Sequence, residues 1–195
     1  LLTKNRLKKS SMTRLKEHVT LHFSGRPLAG PAPEFKTATS LKGKRFKIPA
    51  QMLYRDLVPF GPAYQNILHD LVVTEKGAIA HLQSSSAPAL LQPLGSPFVL
   101  DAAFHAACAW GQRFSSIVGF PVGFEERIIY RPTQPGGNYI SRITPVRQAS
   151  DPVVLIFDIW IYSEEGHLCE AVHSVQMQDV SGGRLKPPRW VQQGR

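Results

Sequence analysis

Residues 101–114, DAAFHAACAWGQRF, hold five alanines and no glycine before Gly111, and Pro97 stands just upstream. Alanine is the strongest helix former and proline suits a first helical turn, so the segment predicts a helix. What constrains the fold is the thinness of that helix. Ala102, Ala103, Ala106, Ala107 and Ala109 carry so little side-chain bulk that strands can approach on several sides. Downstream the pattern predicts strands at 128–130, 139–144, 153–162 and 167–180, the last two joined by Ser163-Glu164-Glu165-Gly166. The alternation Val153, Leu155, Phe157, Ile159, Ile161 is the clearest strand signal in the chain. Upstream, residues 67–73 and 78–82 flank the turn Thr74-Glu75-Lys76-Gly77 and predict a hairpin. One thin helix among antiparallel strands implies an α+β domain whose sheet wraps the helix.

The length of 195 residues and the 43% apolar content suit one domain with a sizeable core. The net charge of +9 is local: residues 1–50 hold twelve Lys/Arg against Glu17 and Glu34, and the remainder is near balance. A run such as Lys4, Arg6, Lys8, Lys9, Arg14 and Lys16 is read as a solvated arm. Nucleic-acid binding is the competing reading, but neither interleaved aromatics nor a reading motif accompanies the charges. Cys108 and Cys169 lack metal-type spacing, so no disulfide framework or structural metal is expected, and a reducing cytoplasm is the default. No apolar run is long enough for a membrane span or a signal peptide. Apolar Leu15, Val19, Leu21 and Phe23 alternate with polar residues and predict a strand over 15–23, followed by the linker-like SGRPLAGPAP.

On the predicted helix Leu100, Phe104, Ala107, Gly111 and Phe114 share one face, and Asp101, His105, Cys108 and Gln112 share another. Asp101 is then either a first-turn aspartate favoured by the helix dipole or a carboxyl set in a pocket. His105 is either a satisfied core histidine or its partner. Cys108 reads most simply as a small apolar residue.

The stretch YRDLVPFGPAYQNI (54–67), followed by SPFVLDAAFHAACAWGQ (96–112), resembles the second hotdog repeat of polyketide synthase dehydratase domains. Gly61, Pro62 and Tyr64 match a Gly-Pro-x-aromatic element; Asp101 and His105 match an Asp-x-x-x-Gln/His helix. The loop GFPVGFEE and the hairpin FDIWIYSEEGHLCEAVHSVQM continue the likeness over about residues 47–180. The resemblance implies a hotdog fold, the C-terminal half of a double hotdog. It implies that Asp101 is the general acid protonating the departing β-hydroxyl of a β-hydroxyacyl thioester, with His105 as its orienter. It implies a substrate-binding set of Gly61, Pro62, Tyr64, Pro97, Phe104 and Cys108. The substrate would arrive on the phosphopantetheine arm of an acyl carrier protein, with neighbouring domains of a polyketide or polyunsaturated fatty acid synthase as partners and no cofactor or metal of the chain's own.

In that family a histidine of the first repeat, in HxxxGxxxxP, acts as base, and no histidine here has that motif. His22 has Pro31 at the right distance but Arg26 in place of the glycine. Phe60 replaces a common tyrosine and Ser96 a common histidine. The expected division is a basic segment over 1–46, whose strand 15–23 closes a preceding repeat, a dehydratase-like hotdog over 47–182 and a tail over 183–195. A hotdog without its neighbour would pair with a second copy, because an open sheet edge is a liability. A non-catalytic hotdog that binds acyl-carrier intermediates, or is structural, is the alternative.

Overall fold

The computed structural model describes residues 2–6, 13–17, 22–25, 32–85, 94–150 and 153–193. The chain divides into two units, 1–30 and 31–195. In the first, β1 (Leu2–Arg6) and β2 (Thr13–Glu17) form an antiparallel pair. The strand expected over 15–23 is therefore shifted: it begins at Thr13, it has a partner, and His22–Gly25 carry no strand. Residues 18–21 of that expectation, His18 among them, lie outside the described residues.

The second unit is built on α3 (Pro97–Phe114). It starts four residues before the alanine-rich run, because Pro97 fits the first helical position and Ser96 is extended ahead of it. Strands β3 (Phe46–Ile48), β4 (Leu71–Thr74), β5 (Gly77–Gln83), β8 (Asn138–Ser150), β9 (Val153–Ser163) and β10 (Leu168–Gln178) follow one another across an antiparallel sheet. Strands β6 (Phe120–Gly123) and β7 (Glu126–Ile129) both pair with β10 and close the far edge. The expected hairpin is present, with a shorter turn. Gly77 has φ +135° and its Cα faces the Ile143 carbonyl so closely that a Cβ would lie 2.1 Å from that oxygen, so only glycine fits.

The sheet wraps α3, as the small residues foretold. Leu71, Val73, Ala80, Leu82, Ile143, Phe157, Ile159, Ile161 and Val172 point inward against Ala102, Ala103, Ala106, Ala107 and Ala109, all buried. At Gly111 a Cβ would come within 2.8 Å of Leu155 Cδ1, so helix and β9 pack tightly there. The 18-residue helix is enclosed on nearly all sides, and one strip stays open: Pro97 is exposed, Phe98, Asp101 and Phe104 are half-buried.

Two expected boundaries move. The unit begins at Pro31 rather than near residue 47, because the short helix α1 (Phe35–Ala38) covers the outer face of the sheet over Trp160, Tyr162 and Ala171. The Tyr162 hydroxyl donates to the Pro33 carbonyl at 2.6 Å. Nor are residues 183–193 of the expected tail free. Its helix α4 (Arg189–Gln192) buries Val191 completely, and the Arg113 guanidinium donates to the Val191 carbonyl. No helix among the described residues is long and apolar enough to cross a membrane.

Candidate active site on the open strip of the helix

Asp101 is the fifth residue of α3, beyond the first turn, and no side chain caps that helix. The capping explanation for this aspartate is thereby removed. Its Oδ2 lies 3.1 Å from His105 Nε2, with the carboxyl 36% exposed and the imidazole 4%. The contact is close but poorly aligned for a hydrogen bond, so Asp101 Oδ2 and both ring nitrogens of His105 are buried without a hydrogen-bonding partner among the described residues. Buried polar atoms are normally satisfied, and an unmet histidine beside an unmet carboxylate is costly unless something else binds there.

Aromatic rings hold His105 in place. Phe60 stacks on it at 5.0 Å and 19°, and Tyr54 meets it edge-on at 5.7 Å. Phe60 in turn leans on Tyr64 at 6.2 Å, and Tyr64 on Phe98 at 5.7 Å. Tyr54 sits in the π-helical turn Leu53–Leu57 that continues α2 (Ala50–Met52). Its hydroxyl accepts from the Ile67 N–H at 2.9 Å, and burial pushes it up to about 12, so it stays protonated at neutral pH. Gly61, extended, leads into a short 3₁₀ turn, Pro62–Tyr64, that delivers these rings to the start of α3. A Cβ at Gly61 would meet nothing within 4 Å among the described residues, so no packing there demands the glycine.

Pro97, Asp101, Phe104 and Cys108 fall on one helical stripe at spacings of four, three and four. Gln112 continues the polar line inward: its amide donates to the Leu57 carbonyl at 2.9 Å and to Cys108 Sγ at 3.4 Å. Burial pushes the Cys108 thiol up to about 11, which keeps it protonated and unsuited to nucleophilic chemistry. No set of three metal-ligating side chains occurs among the described residues.

Two surface depressions among the described residues lie elsewhere. One of about 640 Å³ is lined by Lys47, Gln51, His69, Asp70 and His81, and another of about 200 Å³ by Trp110, Pro145, Arg147 and Leu155. Neither reaches the Asp101–His105 pair. No hydrogen bond, ion pair or ring contact of the described residues brings a second histidine to Asp101. His69 packs on His81 at 5.7 Å, and His173 pairs with Asp158 at 3.5 Å.

Sequence reading passed over Tyr54 as a wall of the site, and it passed over the buried pair Arg127 and Glu170, 2.8 Å apart. The latter had a signal: the alternation of β10 places Glu170 in step with buried Val172, facing inward.

The folded chain can be set beside known proteins. No curated protein matches it. It is similar to the dehydratase domain of RzxB from Pseudomonas fluorescens, at 17% identity and a TM-score of 0.52, over 69% of this chain and 50% of that one. It is similar to the dehydratase domain of PpsC from Mycobacterium tuberculosis, at 19% identity and a TM-score of 0.54, over 76% and 53%. A trans-acyltransferase polyketide synthase enoyl-isomerase matches at 18% identity and a TM-score of 0.52, over 70% and 57%. At such identities the likeness establishes the fold, a hotdog, and the chain spans about half the length of these structures. The family described as polyketide synthase dehydratase N-terminal domain matches residues 37–187. With most of its length matched and its helix wrapped as in these hotdogs, the chain belongs to the polyketide synthase dehydratase family.

Proposed function

We propose that this chain supplies the acid half of a dehydratase site, acting on β-hydroxyacyl thioesters carried on the phosphopantetheine arm of an acyl carrier protein. The observation that carries the reading is the Asp101–His105 pair, 3.1 Å apart on a strip of α3 that the sheet leaves open, with Asp101 Oδ2 and both His105 ring nitrogens unmatched among the described residues. Elimination of water needs a base at the α-carbon and an acid at the leaving hydroxyl. Asp101 gives its proton to the β-hydroxyl as the C–O bond breaks, and water departs. The α-proton goes to a histidine from a neighbouring hotdog, and the electron pair of the C–H bond forms the double bond. His105 orients the Asp101 carboxyl, under the cover of Phe60 and Tyr54. The open space beside Gly61 suits a loop that faces a ligand or a neighbour rather than its own chain. Pro97, Phe104 and Tyr64 border the same strip and would meet the acyl chain, while Cys108 fills its floor.

The family's description names an N-terminal domain, whereas we read the motifs here as resembling those of the second repeat. The Asp-x-x-x-His pairing on α3 and the lack of any HxxxGxxxxP motif in the 195 residues support the second-repeat reading. The neighbour is then a first repeat or, in its absence, another copy of this chain. Asp101→Asn in the intact protein tests the reading: dehydration of a β-hydroxyacyl thioester should be abolished, and near wild-type turnover would overturn it. A non-catalytic binding hotdog is the second reading, favoured by Phe60 and Ser96 where the family commonly has tyrosine and histidine. Binding of an acyl-carrier intermediate that survives Asp101→Asn, with no turnover in the parent, would establish it instead.

A further inference from the structure

The dehydratase chemistry makes no use of a second charged cluster, deeper in the fold and next to the start of the same helix. Glu170 on β10 has a fully buried side chain, and Arg127 on β7 is 18% exposed. Arg127 Nε donates to Glu170 Oε2 at 2.9 Å, and Nη2 lies 2.8 Å from the same oxygen. Nη2 also donates to the Leu94 carbonyl at 2.8 Å. Beside them the Ser96 N–H donates to the Thr133 hydroxyl at 2.8 Å and to the Thr133 carbonyl at 3.1 Å. The hydroxyl proton of Thr133 is left for Glu170, although Oε1 keeps no well-aligned partner. Gly95, at φ +77°, threads between these groups so tightly that a Cβ would lie 2.7 Å from Thr133 Oγ1 and 3.4 Å from Glu170 Oε1.

Each backbone unit from Leu94 to Ser96 is thus fixed by the cluster, and Pro97 starts α3 immediately afterwards. A buried ion pair is a poor way to add stability, because desolvation offsets most of the attraction. It is a good way to select one geometry, since other placements of the lead-in would leave a buried charge unmet. We infer that Arg127, Glu170 and Thr133 are positioning residues that set the position of α3 and thereby of Asp101; this rests on the dehydratase reading.

The test uses the intact protein and a β-hydroxyacyl thioester of N-acetylcysteamine. Glu170→Gln and Thr133→Val keep shape and should lower kcat about tenfold or more while KM changes little, as expected when a reacting group is misplaced by a fraction of an ångström. The apolar double replacement Arg127→Met/Glu170→Leu should recover the melting temperature but not kcat. If Glu170→Gln and Thr133→Val keep wild-type kcat and change only the melting temperature, the cluster is structural and the inference fails. Asp101→Asn in the same assay separates the two claims: loss there together with active cluster variants sinks only the inference. If Asp101→Asn stays active, the dehydratase reading falls, and the imidazole nitrogen NMR shifts of His105 decide the rest. Movement of those shifts in Glu170→Gln keeps the cluster as a positioning device for the pair; unchanged shifts overturn it.

Discussion

The two halves of α3 treat their polar side chains in opposite ways. In the C-terminal half, Trp110 Nε1 donates to the Thr74 carbonyl at 2.8 Å, Gln112 donates to the Leu57 carbonyl, and Arg113 donates to the Val191 carbonyl while lying 3.7 Å over the Phe46 ring. Each ties the helix to a different element: the β4–β5 turn, the π-helical turn and α4. In the N-terminal half, Asp101 and His105 tie the helix by a hydrogen bond to nothing among the described residues. One helix therefore serves as a rigid post at one end and presents unmet groups at the other. The difference teaches where to look for chemistry: at polar atoms the fold has no use for.

Breaking that contrast gives graded expectations. The largest concerns the unmet half. Asp101→Asn is expected to reduce dehydration by about 10² to 10⁴, the range for losing a general acid, with the melting temperature almost unchanged. Retention of both rate and stability would mean that the unmet pair is idle. Next comes Arg113→Met, which removes the guanidinium that donates to the Val191 carbonyl and should cost about 3 kcal/mol of stability in urea unfolding, as for a broken buried network. Trp110→Phe keeps the ring against Phe157 and deletes one hydrogen bond, so a loss of about 1 kcal/mol is expected, with kcat intact. A fall in kcat for Trp110→Phe would blur the division between the two halves.

The smallest effect is a slope with pH. Burial raises the Glu170 carboxyl above its ordinary range, more than the Arg127 guanidinium and the Thr133 hydroxyl lower it; the neighbouring titratable groups are Tyr139 and Cys169. The folded value therefore exceeds the unfolded one of about 4.3. Between the two values the folded chain holds more proton than the unfolded chain. The contribution of this group is complete below the unfolded value and is lost as pH rises through the folded one. Urea midpoints followed upward from about pH 4 should fall relative to Glu170→Gln, which cannot titrate. Parallel curves would contradict the raised value.

Much of the architecture could be read before folding because it rests on local periodicity. Alternation over 153–161 gave β9, and the run of alanines gave a helix that a sheet could enclose. The pairing of Asp101 with His105 followed from a spacing of four. Three things could not be read in that way. The outer face of β9 carries Trp160 and Tyr162, which looked like ordinary strand residues; that α1 covers them is a contact between segments some 120 residues apart. The Arg127–Glu170 pair spans 43 positions, and only the inward register of Glu170 hinted at it. The wall of rings around His105 depends on the path of the π-helical turn, which has no sequence period of its own.

His105 has one more consequence. In most buried histidines a backbone carbonyl or a carboxylate claims one ring nitrogen and so decides which nitrogen bears the hydrogen. Here neither nitrogen is claimed by a well-aligned partner among the described residues, and the stacked Phe60 and the edge-on Tyr54 fix the ring plane without choosing a tautomer. The choice then passes to whatever occupies the strip. A visitor that offers a hydroxyl and one that offers a carbonyl would find two different imidazoles on the same frame, so one scaffold can suit unlike reactions by leaving a single hydrogen unassigned.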